Sequence, residues 1–328
     1  MKFAIIGAGV TGLSLAQMLQ SAGLTVTVFE KSRGRGGRAS SKRLDWASCD
    51  LGAQYFTVRD EHFRLAVENW LKQGWITKWD FTPYRISDNQ CLPSPDRTHR
   101  FVGIPTMNQF LKQMAKSIKV ELNTEIAHLS KAQGQWQIWD NQQNLIGLYD
   151  WAISTVPAEQ ARAFFPSCPQ LHNQIPEKVH TPCWAVALAT KGHIAPKIQG
   201  VFGDRTISWL SRDSSKPNRE SSTTDCDDVW VLHFSESWSQ THIELPEQEM
   251  VDLAFNWLAD KLSAPELELR HSYRHFWRNA RFDQNQPLRS DIICDLELKA
   301  AVLGDWCYGG RIENAYLAAH NFYQRYIG

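Results

Sequence analysis

The sequence predicts an α/β protein in which segments from both ends of the chain build a doubly wound domain, with an α+β lobe inserted between them. Three observations predict it. The chain opens on MKFAIIGAGVTGLSLAQMLQSAGLTVTVFE, closes on AAVLGDWCYGGRIENAYLAAHNF, and carries between them several short runs rich in β-branched and aromatic residues.

In the opening stretch, Lys2–Ile6 reads as a buried strand, residues 7–12 as a tight turn, Leu13–Ser21 as a helix with Leu13, Ala16 and Leu19 on one face, and Thr25–Glu30 as a second strand. Each glycine has a task in such a unit. Gly7 permits the turn, Gly9 lets the backbone approach a pyrophosphate, and Gly12 lets helix and strand pack closely. Around Val10 and Thr11 the helix N-terminus offers free amides and its positive dipole end to phosphate. Glu30, followed by Lys31, ends the second strand, where a carboxylate accepts from both ribose hydroxyls of an adenosine and repels a 2′-phosphate. The unit therefore reads as a Rossmann-like dinucleotide site. An export signal shares the basic start and apolar content, but the glycines break the apolar stretch it requires.

Composition narrows the function classes. With 35 basic and 35 acidic side chains, the formal charge is zero, so no net field favours nucleic acid or an anionic membrane as partner. The seven cysteines are scattered, without a CxxC pair or Cys/His cluster, which argues for reduced thiols, a cytoplasmic location and no structural metal. Every apolar run is interrupted before the ~18–20 residues of a membrane span. Fourteen tryptophans suit an aromatic core and an aromatic-lined pocket for a planar ligand.

The residues after Glu30 distinguish between dinucleotides. EKSRGRGGRASSKR supplies a second glycine doublet, Gly36 and Gly37, and then Arg38, a forked donor for pyrophosphate. CDLGAQYF places Gly52 and Ala53 for close backbone approach to a ring system, with Gln54 and Tyr55 beside it. With GAGVTG, EK…GGR and DLGAQYF in this order, the chain resembles the flavin-containing amine oxidase superfamily, and its renalase branch of bacterial type in particular. TPCWAVALA, SWLSRDSSKPNR, VWVLHFSESWS and HFWRNARF resemble the same members.

That resemblance implies an amine oxidase/p-hydroxybenzoate hydroxylase-like fold and an FAD cofactor. It implies that Ile126, beside Glu125, contacts the adenosine end. It also implies that the strand Ala300–Leu303 with Gly304 and Asp305 holds the ribityl-phosphate section, Asp305 accepting from hydroxyl or water. The helix that starts near Arg311, Ile312 and Glu313, and continues through Ala315, would aim its N-terminus at the flavin's pyrimidine edge, stabilising negative charge there. Cys307, directly after Gly304-Asp305-Trp306, resembles the noncovalent arrangement rather than the cysteinyl-flavin one.

Cofactor segments at both ends make that domain discontinuous. Its expected parts are residues 1–60, 97–164 and 291–328, leaving 61–96 and 165–290 to the substrate lobe. Within the first, Phe101–Lys116 reads as a turn and helix, residues 120–122 as a third parallel strand and residues 124–157 as alternating like a β-meander, within which YDWAIST resembles the strand that re-enters the cofactor sheet before a helix at Pro157. In the second, Glu61–Trp75 reads as a helix, as does ELPEQEMVDLAFNWLADKL. CWAVALAT, TISWLSR and VWVLHFS read as strands, and residues 212–219 as an exposed polar loop.

No Ser-His-Asp, metal or nucleophilic-cysteine constellation stands out. Oxidising a dihydropyridine needs none, because aromatisation drives hydride loss and leaves a cation without losing a proton. The resemblance implies that reaction: isomeric dihydronicotinamide dinucleotides are returned to NAD(P)+, and molecular oxygen reoxidises the flavin to give hydrogen peroxide. Tyr55, His233 and Trp277 are the substrate-side candidates, as an aromatic cage with one polar group, and Lys216 and Arg219 are candidates for the substrate's phosphates. An amine oxidase or desaturase on the same scaffold, a non-catalytic FAD-binding protein and an NAD-dependent dehydrogenase are the competing readings. A monomer or weak dimer is expected.

Overall fold

The computed structural model describes residues 1–219, 224–289 and 291–328. Strand β1 (Lys2–Ile6), helix α1 (Val10–Ser21) and strand β2 (Thr25–Phe29) form in sequence order. The helix starts earlier than the apolar pattern indicates because the turn is confined to Gly7–Gly9, so Val10, Thr11 and Gly12 make its first turn. After its first residue β1 is buried throughout, as expected of a strand covered on both faces.

Among the described residues, this sheet has six strands. They run Ile293–Asp295, Ala300–Val302, Trp151–Ser154, β1, β2, Lys119–Glu121, and all pair parallel except the first two. Both ends of the chain therefore contribute strands to one sheet. The closing helix Ile312–Tyr326 packs beside α1. A three-stranded antiparallel meander, Ile126–Ala132, Gln135–Asp140 and Leu145–Tyr149, leads back into the sheet at Trp151.

The second sheet has seven strands among the described residues, with His180–Lys191 paired between Glu268–Phe282 and Asp228–Phe234. Alternation along His180–Lys191 divides its side chains between two cores. Trp184, Val186 and Leu188 pack with Met250, Ala254 and Leu258 of the helix Glu247–Lys261. Ala185, Ala187 and Ala189 face the other way, against Trp46, Cys49 and Leu51. The small alanine side chains let the 46–51 segment lie close against the sheet, and this sets the position of the residues that follow it.

Three parts of the chain differ from the sequence expectations. The helix Glu61–Lys72 forms, but its buried Phe63, Val67 and Trp70 belong to the core of the parallel sheet, whereas Tyr84–Ser87 and Gln90–Pro93 extend the second sheet. Segment 61–96 is thus shared between the two. Phe101–Gly103, expected as a turn, is a strand antiparallel to Ile76–Lys78, too short to register a period, and the helix after it is Gln109–Met114. Segment 212–219 is not the exposed loop expected: only Asn218 in it is exposed, and the side chains of Lys216 and Asp213 are 0% and 2% exposed. Lys216, Asp213 and Arg219 pair with one another or with Asp50, and Arg212 pairs with Asp228, which offsets part of the penalty of taking these charges out of water.

Candidate active site

Helix α1 and the closing helix both open their N-termini onto one cleft of ≈ 1720 Å³, lined from both lobes. Gly7, Gly9, Val10, Thr11, Glu30, Lys31 and Ile126 line one part of it. The first turn of α1 has no side-chain cap and no acidic residue, so its amides face the cleft without a competing acceptor. A Cβ built on Gly9 meets no protein atom within 4 Å, so only a ligand would contest that space. Gly12 is behind the wall: its Cβ would fall 2.0 Å from the Gly7 carbonyl oxygen. The Glu30 carboxylate is held by the amides of Ala8 and Ser32, each donating at 2.9 Å, with lone pairs left for further donors.

Two glycine-containing loops interlock at the centre. Gly36, Gly37 and Arg38 line the cleft alongside Gly52, Ala53, Gln54 and Tyr55. The Ala53 amide donates to the Arg38 carbonyl at 2.9 Å, and a Cβ on Gly52 would lie 2.0 Å from that same oxygen. The Arg38 guanidinium pairs with Asp305, so two residues expected to face a cofactor meet each other across 267 positions of chain. Gly304 is behind them, its hydrogen turned toward the Trp306 indole. Arg311, Ile312 and Ala315 line the cleft at the start of the closing helix. Arg311 caps that helix at φ +89, after Gly309 at +88 and Gly310 at +86, a left-handed run that a non-glycine residue rarely joins.

His233 and Trp277 converge on a single acceptor. The Nε2 of His233 donates to the Leu51 carbonyl at 2.9 Å, and the Nε1 of Trp277 donates to the same oxygen at 3.0 Å. Burial pushes the His233 pKa down to about 3, with the Arg281 charge adding to it, so the ring is neutral and Nδ1 is its acceptor atom. Tyr55 lies against Trp209, with ring centroids 5.3 Å apart, and under the Arg100 guanidinium at 5.2 Å.

Gln54 is used by the protein itself: its Oε1 accepts from Ser211 Oγ at 2.6 Å and Lys216 Nζ at 3.2 Å, and its Nε2 donates to the Gly52 carbonyl at 3.0 Å. Lys216 also reaches Asp213 at 2.6 Å and Asp50 at 3.2 Å, and Arg219 pairs with Asp50. Burial alone would raise the Asp50 carboxyl, but Lys216 and Arg219, helped by Ser41 and the Met107 amide, hold it below its ordinary value. Lys216 and Arg219 are therefore not phosphate ligands on an exposed loop; they are committed to buried carboxylates outside the cleft lining.

Sequence reasoning missed other lining residues. Tyr273, His275 and Arg278 are not among the candidates of the sequence analysis, yet all three line the cleft from the strand Glu268–Phe282. The alternation Tyr273, His275, Trp277 was the available signal, since period two puts all three on one face. Lys42 and Arg43, which end the EKSRGRGGRASSKR stretch, and Lys112 also line the cleft.

Comparison with known proteins agrees with this architecture. Residues 5–68 match the NAD(P)-binding Rossmann-like domain family. Over 106 residues the chain is 37% identical to coproporphyrinogen III oxidase of Staphylococcus aureus (strain NCTC 8325 / PS 47), a segment that is 31% of this chain and 22% of that protein. Over 60 residues it is 48% identical to the 4,4'-diapophytoene desaturase (4,4'-diaponeurosporene-forming) of Staphylococcus aureus (strain Newman), 18% of this chain and 12% of that one. The chain thus spans less than a quarter of the length of these curated relatives. The whole backbone resembles cyclohexylamine oxidase from Brevibacterium oxydans IH-35A, with a TM-score of 0.74 at 12% identity over 98% of this chain and 97% of the other. This is the amine oxidase fold. Within the amine oxidase fold, the curated similarity is confined to part of the chain, whereas the backbone likeness extends over both sheets. No helix among the described residues is long and apolar enough to cross a membrane.

Proposed function

We propose that this protein is an FAD-dependent oxidoreductase of the renalase type, which oxidises isomeric dihydronicotinamide dinucleotides to NAD(P)+ and delivers the electrons to oxygen as hydrogen peroxide. FAD, when bound, supplies the hydride acceptor. The α1 amides and the open space at Gly9 suit its pyrophosphate, Glu30 its adenosine ribose, and Ile126 the adenine end. Arg38 and Asp305 would hold the middle of the cofactor, the 52–55 backbone would lie beside its ring, and the residues Arg311, Ile312 and Ala315 would meet its pyrimidine edge. Cys307 is buried in the core, outside the cleft lining, and burial pushes its thiol up to about 12, which supports noncovalent attachment. Denaturation is expected to release all of the yellow colour.

The observation that carries the substrate reading is the shared Leu51 acceptor. It fixes the Trp277 ring as a wall for a planar substrate and leaves His233 neutral, its Nε2 proton committed. A neutral ring with so low a pKa is a poor base at neutral pH. An amine, protonated in water, must shed a proton before it can lose hydride; a dihydropyridine need not. Tyr55 and Trp277 then stack and align the substrate, and His233 offers Nδ1 as a fixed acceptor.

In air, the mixture of isomers obtained by chemical reduction of NAD+ should yield hydrogen peroxide, and putrescine or cyclohexylamine should not. Turnover of the amines alone would transfer the assignment to an amine oxidase. The pH–rate profile should show no limb from His233 between about pH 5 and about pH 9. A limb near 6.5 that disappears in His233→Gln would contradict the neutral assignment. Because the folded pKa is depressed from 6.5, the unfolded chain protonates first in acid. Stability should therefore fall as pH drops below about 6.5, and less steeply in His233→Gln.

A further inference from the structure

The chain as a whole is neutral, yet its cleft is not. Ten lysines and arginines line it against four carboxylates, Glu30, Asp45, Glu125 and Asp305, an excess of six positive charges. Two of those carboxylates are already engaged, Glu30 by backbone amides and Asp305 by Arg38. A bound FAD pyrophosphate would balance only part of the remainder.

Four of these cations, none of them assigned to the cofactor, come from three separate elements. Lys42 and Arg43 lie on the short strand after the Arg38 loop, Lys112 on the helix Gln109–Met114, and Arg278 on the strand Glu268–Phe282. Arg43, Lys112 and Arg278 are exposed and Lys42 is half-buried. Among the described residues, none of the four has a carboxylate within ion-pair distance. Lys42 rests over the Tyr273 ring at 5.0 Å instead, and its charge acts on His275, beside Trp277. The cleft wall covers part of the Lys112 side chain and lowers its pKa, and the like charge of Arg43 adds to this. A cleft wall of one sign focuses its field on what enters, attracting anions and repelling cations.

We propose that Lys42, Arg43, Lys112 and Arg278 form a subsite for the phosphates of the substrate, so that the cleft selects a phosphate-bearing dinucleotide over an amine. This rests on the FAD reading of the inner cleft. The dihydronicotinamide enters beside Tyr55 and Trp277, and its pyrophosphate and remaining nucleotide lie along this rim. The rim, not the buried Lys216 and Arg219, supplies the phosphate contacts.

The test uses the purified holoprotein with NAD+ as probe, its binding followed through perturbation of the flavin absorbance, for the wild type and for Arg43→Gln/Arg278→Gln. The double variant should keep its flavin content and bind NAD+ about tenfold more weakly, and raising the salt should weaken the wild type more than the variant. Coproporphyrin III, a carboxylate polyanion, and putrescine, a dication, are compared under the same conditions. Tighter binding of either than of NAD+ would overturn the phosphate assignment, as would NAD+ binding indifferent to both salt and the substitutions. Protein that takes up no FAD would instead overturn the underlying cofactor reading and this proposal with it, and the flavin absorbance of the same samples distinguishes the two failures.

Discussion

Gly9→Ala should give a folded but colourless protein, whereas Gly12→Ala should give an unstable one. The two glycines are in the same turn and separate the roles of its two faces. At Gly9 the backbone is extended, with φ −84 and ψ −169, and an added methyl meets nothing of the protein within 4 Å. Its effect falls on the ligand. Displacing a pyrophosphate from amides at a helix N-terminus removes charge-assisted bonds, so FAD affinity should drop about 100-fold with the melting temperature of the apoprotein unchanged. At Gly12 the methyl would lie 2.0 Å from the Gly7 oxygen and 2.8 Å from Thr155 Oγ1, which itself donates to the Ile6 and Gly7 carbonyls. Helix and strand must part, at a cost of about 3 kcal/mol. Flavin absorbance per protein and thermal unfolding of the apoproteins check both. A yellow Gly9→Ala protein at wild-type occupancy would remove the pyrophosphate from this turn.

Lys216→Met should destabilise the protein by about 3–5 kcal/mol, the usual cost of leaving buried charge unpaired. Asp50, Asp213, Lys216 and Arg219 have side chains no more than 4% exposed, and removing Lys216 leaves two carboxylates facing one guanidinium. The effect should reach the cofactor as well, because Lys216 also donates to Gln54, and Gln54 holds the Gly52 carbonyl in the loop that flanks the flavin ring. Urea unfolding measures the first effect and FAD occupancy the second. Adding Asp213→Asn to the Lys216→Met background should recover a large part of the stability, since it deletes the excess carboxylate. If Lys216→Met unfolds at the wild-type urea concentration, the buried network is not holding this region together.

The parts of the site that are local in sequence were legible in it. The turn at Gly7–Gly12 is constrained by which residues can adopt its backbone, and Glu30 by the length of one helix and one strand. The strands of the second lobe were readable from β-branched and aromatic runs. Segment 212–219 was misread because Lys216 and Arg219 are ordinary signs of a solvated loop, and the carboxylate that buries them, Asp50, is 166 positions before Lys216. The helix Glu61–Lys72 showed its apolar face in its spacing, but spacing does not say which sheet that face meets. The same holds for the cationic rim: Lys42, Lys112 and Arg278 come from separate elements and reach one cleft only through the fold. The pairing of Arg38 with Asp305 was hidden for this reason too, although each residue had been singled out.

The most direct test of the account is anaerobic stopped-flow mixing of the flavin-loaded protein with the dihydronicotinamide isomers of chemically reduced NAD+, and separately with ordinary NADH, following the flavin absorbance. The account predicts rapid bleaching by a minor isomer, with release of NAD+ and no corresponding reduction by NADH. A flavin that stays oxidised with every dihydronicotinamide, yet is bleached by an amine, would contradict it.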